Sequence, residues 1–383
     1  MSETPDRLLW RCLCLVSLCF IAACASAPTA TPPPTFWTIT TLALEQQMDA
    51  PVIWLDAAEL ASWVGADDAG IHQDARRRRD GLLNAPVVLP LPPRHPYSQR
   101  SAAAGAGNFH LFWLDAGDDG ANALFSAVLT PDLAIRRGPT PISDRLTLRY
   151  SLAPLDGGAV WVAWSGGVLS EPAIFMQYVD EDGRPRLSQQ AATNADFPAL
   201  ARLNSGGIRL FWLVGGSRRL MRGAWSENRL EQVTVLTAGV AFEPGDRLVS
   251  LSAALDRIQG YVFWNLTRAD GQDETWLSAG EIDAGTWSPP QRLSVPSETV
   301  APVRWAAPLP GQHDALPVAA QVGNELRVLW FQGGTVVRGE TVAPLAADLL
   351  APPGIYSDGA RLVVAWSEPT PQGVAALNVA VQP

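Results

Sequence analysis

Lysine is absent from the 383 residues; all 28 basic side chains are arginine. That removes Schiff-base chemistry, a lysine general base and a phosphate loop of the Walker type. Cysteine is scarce: Cys12, Cys14, Cys19 and Cys24 all fall within the first 24 residues. The rest of the chain therefore has neither a disulfide framework nor a cysteine metal site. Charged residues make up only 17 % and the balance is acidic, −10 overall. Without a basic face for phosphate, a nucleic-acid partner is excluded. Long apolar runs are missing too. The run Cys12 to Ala23 has twelve residues, whereas a bilayer core of about 30 Å needs about 20. The four histidines, His72, His95, His110 and His313, show no His-x-His or His-Glu-x-x-His spacing, so no zinc site is expected. There is no Gly-x-Ser-x-Gly elbow, and Gly105-Ala106-Gly107 lacks the third glycine and following helix of a dinucleotide fingerprint.

What is present is apolar and periodic. Apolar residues reach 47 %, enough for a sizeable core and too many for a disordered chain. At the N-terminus Arg7 and Arg11 precede the apolar run, with Glu3 and Asp6 weakening its positive end; a cleaved export signal fits better than a membrane span. The run ends in Ile21-Ala22-Ala23-Cys24, which resembles the lipobox of bacterial lipoproteins. The resemblance implies a signal peptide over 1–23 and a lipid on Cys24, the first residue of the mature chain. An ordinary secretory signal is the alternative. Residues 24–35, rich in Pro, Thr and Ala, read as an extended tether. The expected location is outside the cytoplasm, anchored by lipid to the bacterial cell envelope, with residues 36–383 as one folded domain.

That domain is built around an apolar strand ending in Trp, clearest at Gly207-Ile208-Arg209-Leu210-Phe211-Trp212-Leu213-Val214. Related strands carry Trp54, Trp113, Trp164, Trp264, Trp330 and Trp366, at steps of 59, 51, 48, 52, 66 and 36 residues along the series. A period near 50 with many turn signals predicts propeller blades. Residues 197–237 read as four strands separated by Gly, Ser and Asn turns. Ile208, Leu210 and Trp212 lie on one face and Phe211 and Leu213 on the other, so the strand must be covered on both sides. Stacked blades do that, which makes the tryptophans inter-blade core. Asp144-Arg145-Leu146 and Asp246-Arg247-Leu248 precede their tryptophans by similar distances, a second trace of repetition. The final unit lacks its fourth strand, and residues 36–42 are expected to supply it and so remove an exposed edge. The fold class is therefore all-β: a β-propeller of seven four-stranded blades, with six as the alternative.

The units resemble those of sialidase-like (BNR) propellers, in which an apolar strand with Trp follows a Gly turn. Those families carry an Asp-box, which Asp283-Ala284-Gly285-Thr286-Trp287 approaches with one residue too few and Glu281 in place of Ser. The resemblance implies a ligand at the channel mouth formed by entries to first strands and exits from second strands. There it places the candidate ligand-binding residues Asp115, Asp144, Arg145, Asp196, Asp246, Arg247 and Arg304, with Asp56, Asp118, Asp119, Arg218, Arg219, Glu298, Asp358 and Glu368 around them. A sialidase-type site needs three arginines on one carboxylate, for which Arg145, Arg247 and Arg304 are the set, and a Tyr–Glu pair, for which Glu243 and Tyr356 stand. The family's Arg-Ile-Pro signature is absent, and strand-entry Asp–Arg pairs more often cap turns.

Two further stretches are expected to be solvated. Asp115 to Asn122 is acidic and Gly-rich but lacks EF-hand spacing for Ca²⁺. Asp74 to Asp80, with four arginines, reads as a loop flanked by its own carboxylates; contact with anionic headgroups is the alternative. No cofactor or metal is expected. The expected role is binding by a monomer of a protein partner or a surface glycan, against the alternatives of a glycan-cleaving hydrolase and an envelope-assembly scaffold.

Overall fold

The structure is a computed structural model. It describes residues 37–46, 49–55, 59–67, 70–79, 82–91, 95–116, 122–143, 146–215, 219–237, 243–282, 287–295 and 302–382, all within one compact unit, Trp37–Pro383. Cys24, the signal and the tether lie outside them.

Seven antiparallel sheets follow one another along the chain. The first blade contains Val52–Leu55, Glu59–Asp67, Gly70–Arg79 and the short outer pieces Leu82–Leu83 and Val87–Val88. The second contains Pro96–Ala103, Phe109–Ala116, Asn122–Leu129 and Ile135–Pro141; the third, Thr147–Pro154, Val160–Val168, Glu171–Val179 and Gln189–Ala192. Ala195–Arg202, Ile208–Val214, Leu220–Ser226 and Arg229–Thr237 form the fourth. The fifth has Arg247–Asp256, Gln259–Thr267, Asp273–Glu281 and Gln291–Arg292, and the sixth Val303–Pro308, Leu316–Val322, Glu325–Gln332 and Thr335–Pro344. In the seventh, Gly354–Ser357, Leu362–Pro369 and Ala375–Gln382 are completed by the N-terminal strand Thr38–Glu45. This is the expected seven-bladed propeller, closed by its N-terminal strand.

The closing strand runs antiparallel to the last one, from Thr38 opposite Val381 to Glu45 opposite Ala375. Thr41 Oγ1 donates to Asn378 Oδ1 at 2.8 Å. The first blade grips the same strand from the other side: Arg76 Nη1 donates to the Leu42 carbonyl at 2.5 Å, Arg78 Nη2 to Thr40 Oγ1 at 2.7 Å and Trp63 Nε1 to Glu45 Oε1 at 3.1 Å. This corrects the reading of the basic run as a solvated loop. It is the third strand of the first blade, and Arg77 reaches on to Asp132 in the second. Arginine suits the task because its fork bonds two acceptors in different strands at once.

The tryptophan series needs correcting at two points. Trp54 lies on the innermost strand of the first blade, stacked on Phe109 at 5.1 Å, and Trp63 occupies the second strand. Trp330 lies on the third strand of the sixth blade, beneath Arg338, and the second strand there is Leu316–Val322. Substituting Trp63 and Ala320 for them turns the uneven steps into 50, 51, 48, 52, 56 and 46 residues. The two misplaced tryptophans were what made the spacing irregular. Trp113, Trp164, Trp212, Trp264 and Trp366 are all buried between blades, each cluster of apolar side chains being shared by neighbouring sheets. Burying a large apolar side chain contributes about 1.5–3 kcal/mol, so repeated stacking supplies most of the core.

The innermost strands carry a repeated irregularity. Register shifts between Tyr97 and Arg100, Asp196 and Ala199, and Arg304 and Ala307, and each shift contains a residue with positive φ: Ser98 at 53°, Phe197 at 55° and Trp305 at 55°. These bulges, in the second, fourth and sixth blades, bend the strand and re-aim side chains near the channel.

Candidate functional site

The two ends of the central channel differ. The turns between first and second strands lie at one end, and the sixth blade's turn, residues 309–315, is extended there. Within it Gln312–His313 adds a parallel strand to the free inner edge of Arg247–Asp256. Gln312 Nε2 donates to the Asp256 carbonyl at 2.9 Å, and Gln312 Oε1 accepts from the Asn204 backbone of the fourth blade at 2.9 Å. This strap ties three blades together across the channel edge. Beneath it the buried Asp256 carboxylate accepts from Ile258 N (2.7 Å), Gln259 N (2.6 Å), Gly333 N (3.0 Å) and the Tyr261 hydroxyl (2.5 Å). Every lone pair there is used. Burial and the bond to Asp256 push the Tyr261 phenol well above its ordinary value.

The other end collects the entries to first strands and the exits from second strands. At the fourth-blade entry Asp196 accepts from Ser165 Oγ at 2.5 Å and pairs with Arg149 of the third blade at 2.7 Å, while the Arg149 guanidinium lies 3.7 Å from the centre of the Phe197 ring. Asp246, its side chain covered, accepts from the Glu243 and Ala269 backbones at 2.9 and 3.0 Å and pairs with Arg268 at 2.5 Å; Arg268 also holds Glu274 at 2.8 Å. The Glu243 N–H is foremost in keeping the Asp246 carboxyl below the usual carboxylate range. Arg304 is ion-paired with Asp348, which accepts from Gln321 Nε2 at 2.6 Å. Asp115 is buried and receives the His95 N–H at 2.8 Å.

Arg247 and Arg100 behave differently. Both are exposed, and neither has an ion pair among the described residues. Arg100 stands 5.5 Å from the centre of the Tyr150 ring. The Tyr150 hydroxyl is buried against the carbonyl oxygens of Ser98 and Phe112, and burial raises its pKa strongly. Tyr356, on the inner strand of the seventh blade, donates to the Pro51 carbonyl at 3.4 Å, and burial pushes its phenol up to about 12. Asp273 accepts from Thr267 Oγ1 at 2.8 Å, and burial raises its carboxyl against the opposing pull of Thr267, Arg304 and Arg247. Glu368, at the second-strand exit of the seventh blade, is also raised by burial, against the opposing pull of the Trp366 indole N–H.

Of the candidates read from sequence, Asp115, Asp196, Asp246, Arg247, Arg304, Arg219 and Glu368 lie at this mouth. Asp56, Asp118, Asp119, Asp144, Arg145, Arg218 and Glu298 fall outside the described residues, as do residues 283–286 of the Asp-box-like stretch. Asp358 does not belong with them. It sits in the turn between first and second strands of the seventh blade, at the strapped end, accepting from Ala360 N and Arg361 N. Glu243 and Tyr356 come from different parts of the ring: the Glu243 N–H donates to Asp246 in the loop before the fifth blade, and Tyr356 is bound to the first. Arg100, Arg149 and Asp273 were missed. Each bulge inserts one extra residue and so turns the side chains beyond it, a shift that no strand-entry motif announces.

No protein-family model matches the chain, and no curated protein matches it either. Solved structures share the fold. A polysaccharide lyase, Uly1, superposes with a TM-score of 0.60 at 8 % identity over 93 % of each chain. An ulvan lyase of a new polysaccharide lyase family gives 0.56 at 11 % identity, over 90 % of this chain and 94 % of that one. A protein of unknown function from Dyadobacter fermentans gives 0.52 at 12 % identity, over 75 % of this chain and 94 % of that one. At these identities the likeness is one of fold: a seven-bladed propeller, shared with proteins described as acting on polysaccharides.

Proposed function

We propose that this protein is a binding module for an anionic glycan, held outside the cytoplasm by a lipid on Cys24, with the strand-entry mouth as its ligand site. One observation carries the reading. Arg149, Arg268 and Arg304 at that mouth are neutralised by carboxylates, whereas the exposed guanidiniums of Arg100 and Arg247 have no such partner among the described residues. An unpaired guanidinium suits a carboxylate or sulfate carried on a sugar, because the fork bonds the anion with two parallel N–H groups. The ulvan lyase fold relative has been solved bound to a glucuronic acid–sulfated rhamnose unit, which supports the ligand class by analogy of fold alone. Titration calorimetry against polyanionic and neutral polysaccharides tests the proposal. Expected is saturable binding of the anionic ligand that weakens with salt; equal affinity for both, or none for either, refutes it.

A cleaving activity is the second reading, favoured by the raised carboxyls of Asp273 and Glu368 at the same mouth, since a protonated carboxyl is what a general acid requires. Product release from an anionic polysaccharide that stops in Asp273→Asn and Glu368→Gln would establish it; intact polymer after long incubation removes it.

A further inference from the structure

Register puts the two unpaired arginines at different depths. Phe112, one residue before Trp113, pairs with Arg100 on the innermost strand. The corresponding pairs of the other six blades, each one residue before the aligned tryptophan position, put Val52, Ser151, Ala199, Ser252, Ala307 and Gly354 in the same layer. None of these six is charged or longer than valine, and at Gly354 a Cβ would stand 2.6 Å from the Tyr356 ring. Arg100 is the single charge of the layer. Arg247 pairs with Thr267, four residues beyond Phe263, the counterpart of Phe112. At about 3.3 Å per residue, Arg100 sits about 13 Å deeper in the channel than Arg247 at the rim. The Arg100 guanidinium leans over the Tyr150 ring of the third blade at 5.5 Å, and its charge reaches Tyr356 of the seventh. Asp49, which takes the Ser98 N–H at 3.3 Å, is a carboxylate on the same side. No ion pair joins it to Arg100.

We propose that the site recognises the end of an anionic glycan chain: a terminal charged sugar enters the channel to reach Arg100, and the sugars behind it leave over the rim at Arg247. The inference rests on the proposed glycan site and deepens it. Topology supplies the reason. Thr38–Glu45 pairs with Ala375–Gln382 and shuts the ring, so there is no lateral slot through which an internal stretch of polymer enters. A cation about 13 Å below the rim of a closed ring is met by an end, of the main chain or of a branch. A stiff chain lying across the mouth passes above it. The short, uncharged side chains of the layer leave the entering anion one guanidinium, whose fork fixes where the terminal charge goes. Arg184 and Arg186 are also exposed without an ion pair among the described residues. They stand in the outer turn of the third blade, between Glu171–Val179 and Gln189–Ala192, away from the innermost strands.

Stoichiometry tests this without any substitution. Heparin and polygalacturonate, one sulfated and one carboxylated and both linear, are each separated into short and long fractions and titrated into the protein by calorimetry. Expected is one protein bound per polymer chain whatever the length of the fraction. A count that rises in proportion to chain length overturns the chain-end proposal while leaving glycan binding intact. Binding of neither polymer is the failure of the functional reading itself, and refutes both. Arg100→Gln is expected to weaken binding of the short fraction at least tenfold, with part of the loss recovered in Arg100→Lys, and Arg184→Gln and Arg186→Gln to leave it unchanged. Unchanged binding by Arg100→Gln, or a loss at Arg184 or Arg186 in its place, overturns the proposal as well. Thermal melting of each variant excludes misfolding as the cause of a loss.

Discussion

The two ends of the channel are made from the same repeat and have opposite chemistry. At the strapped end, a buried carboxylate takes four donors and the extended turn spends Gln312 on joining three blades. At the mouth, several acids and arginines satisfy each other, yet the exposed guanidiniums of Arg100 and Arg247 have no ion pair among the described residues. One end is finished as structure. The other keeps unspent polar capacity, which is where ligand energy comes from, because a partner that completes such bonds gains what the fold left unused.

The largest way to break the contrast is at Asp256. Asp256→Ala strips the buried Tyr261 hydroxyl and three turn N–H groups of their acceptor and is expected to cost on the order of 3 kcal/mol in denaturant unfolding, with affinity for the anionic glycan unchanged. A matching loss of affinity would mean the ends are not separable.

Acid is the next lever. The strapped side holds His110, which bonds the Gly158 carbonyl at 2.9 Å, and His313 of the strap, which bonds the Pro310 carbonyl at 3.1 Å. Burial lowers the pKa of both. The unfolded chain then takes up protons first, so stability rises with pH across the window below about 6.5 and is lost as pH falls through it. Thermal melting between pH 7.5 and 5 should show the decline, and His110→Gln should flatten it; a melting temperature that rises on acidification contradicts the account.

A smaller effect is expected at the mouth. Asp196→Asn removes the half-buried pairing with Arg149, and about 1 kcal/mol of stability is expected to go with it. It also frees a third guanidinium, so affinity for the anion should hold or increase. A fall in affinity would place Asp196 among the ligand contacts.

Smallest in stability is Arg247→Gln, expected within about 0.5 kcal/mol of the parent, as for most surface changes, yet expected to weaken anionic-glycan binding about tenfold, the value of one charge-assisted contact of roughly 1.4 kcal/mol. Unchanged binding would assign the site to Arg100 alone or elsewhere.

Much of the scaffold was legible beforehand. A strand such as Ile208–Val214, apolar on both faces, has to be sandwiched, and a repeat near 50 residues leaves a ring of blades as the economical arrangement. The missing last strand announced the closure. Legibility failed where local pattern and register part company. Trp54 and Trp330 have the composition of second-strand tryptophans and occupy other strands, because any strand buried between blades accepts a large ring. Arg76 to Arg78 look like a solvated run and are a half-buried seam, since hydrogen-bond partners from Thr40, Leu42 and Asp132 are distant in sequence. The site was legible only as a set of strand-entry charges. Which of them were already spent depended on the neighbour each one met.

The sequence by itself determined the all-β repeat and the strand that closes the ring, and left seven blades against six, because those follow from periodicity and from the need to cover two apolar faces; the structure decided for seven. Only the tertiary structure decided which end of the channel is strapped, which carboxylates consume which arginines, and that Arg100 and Arg247 have no ion pair among the described residues. Those outcomes turn on bulges and on contacts between blades roughly 50 residues apart, where one register step moves a side chain from one face of a strand to the other.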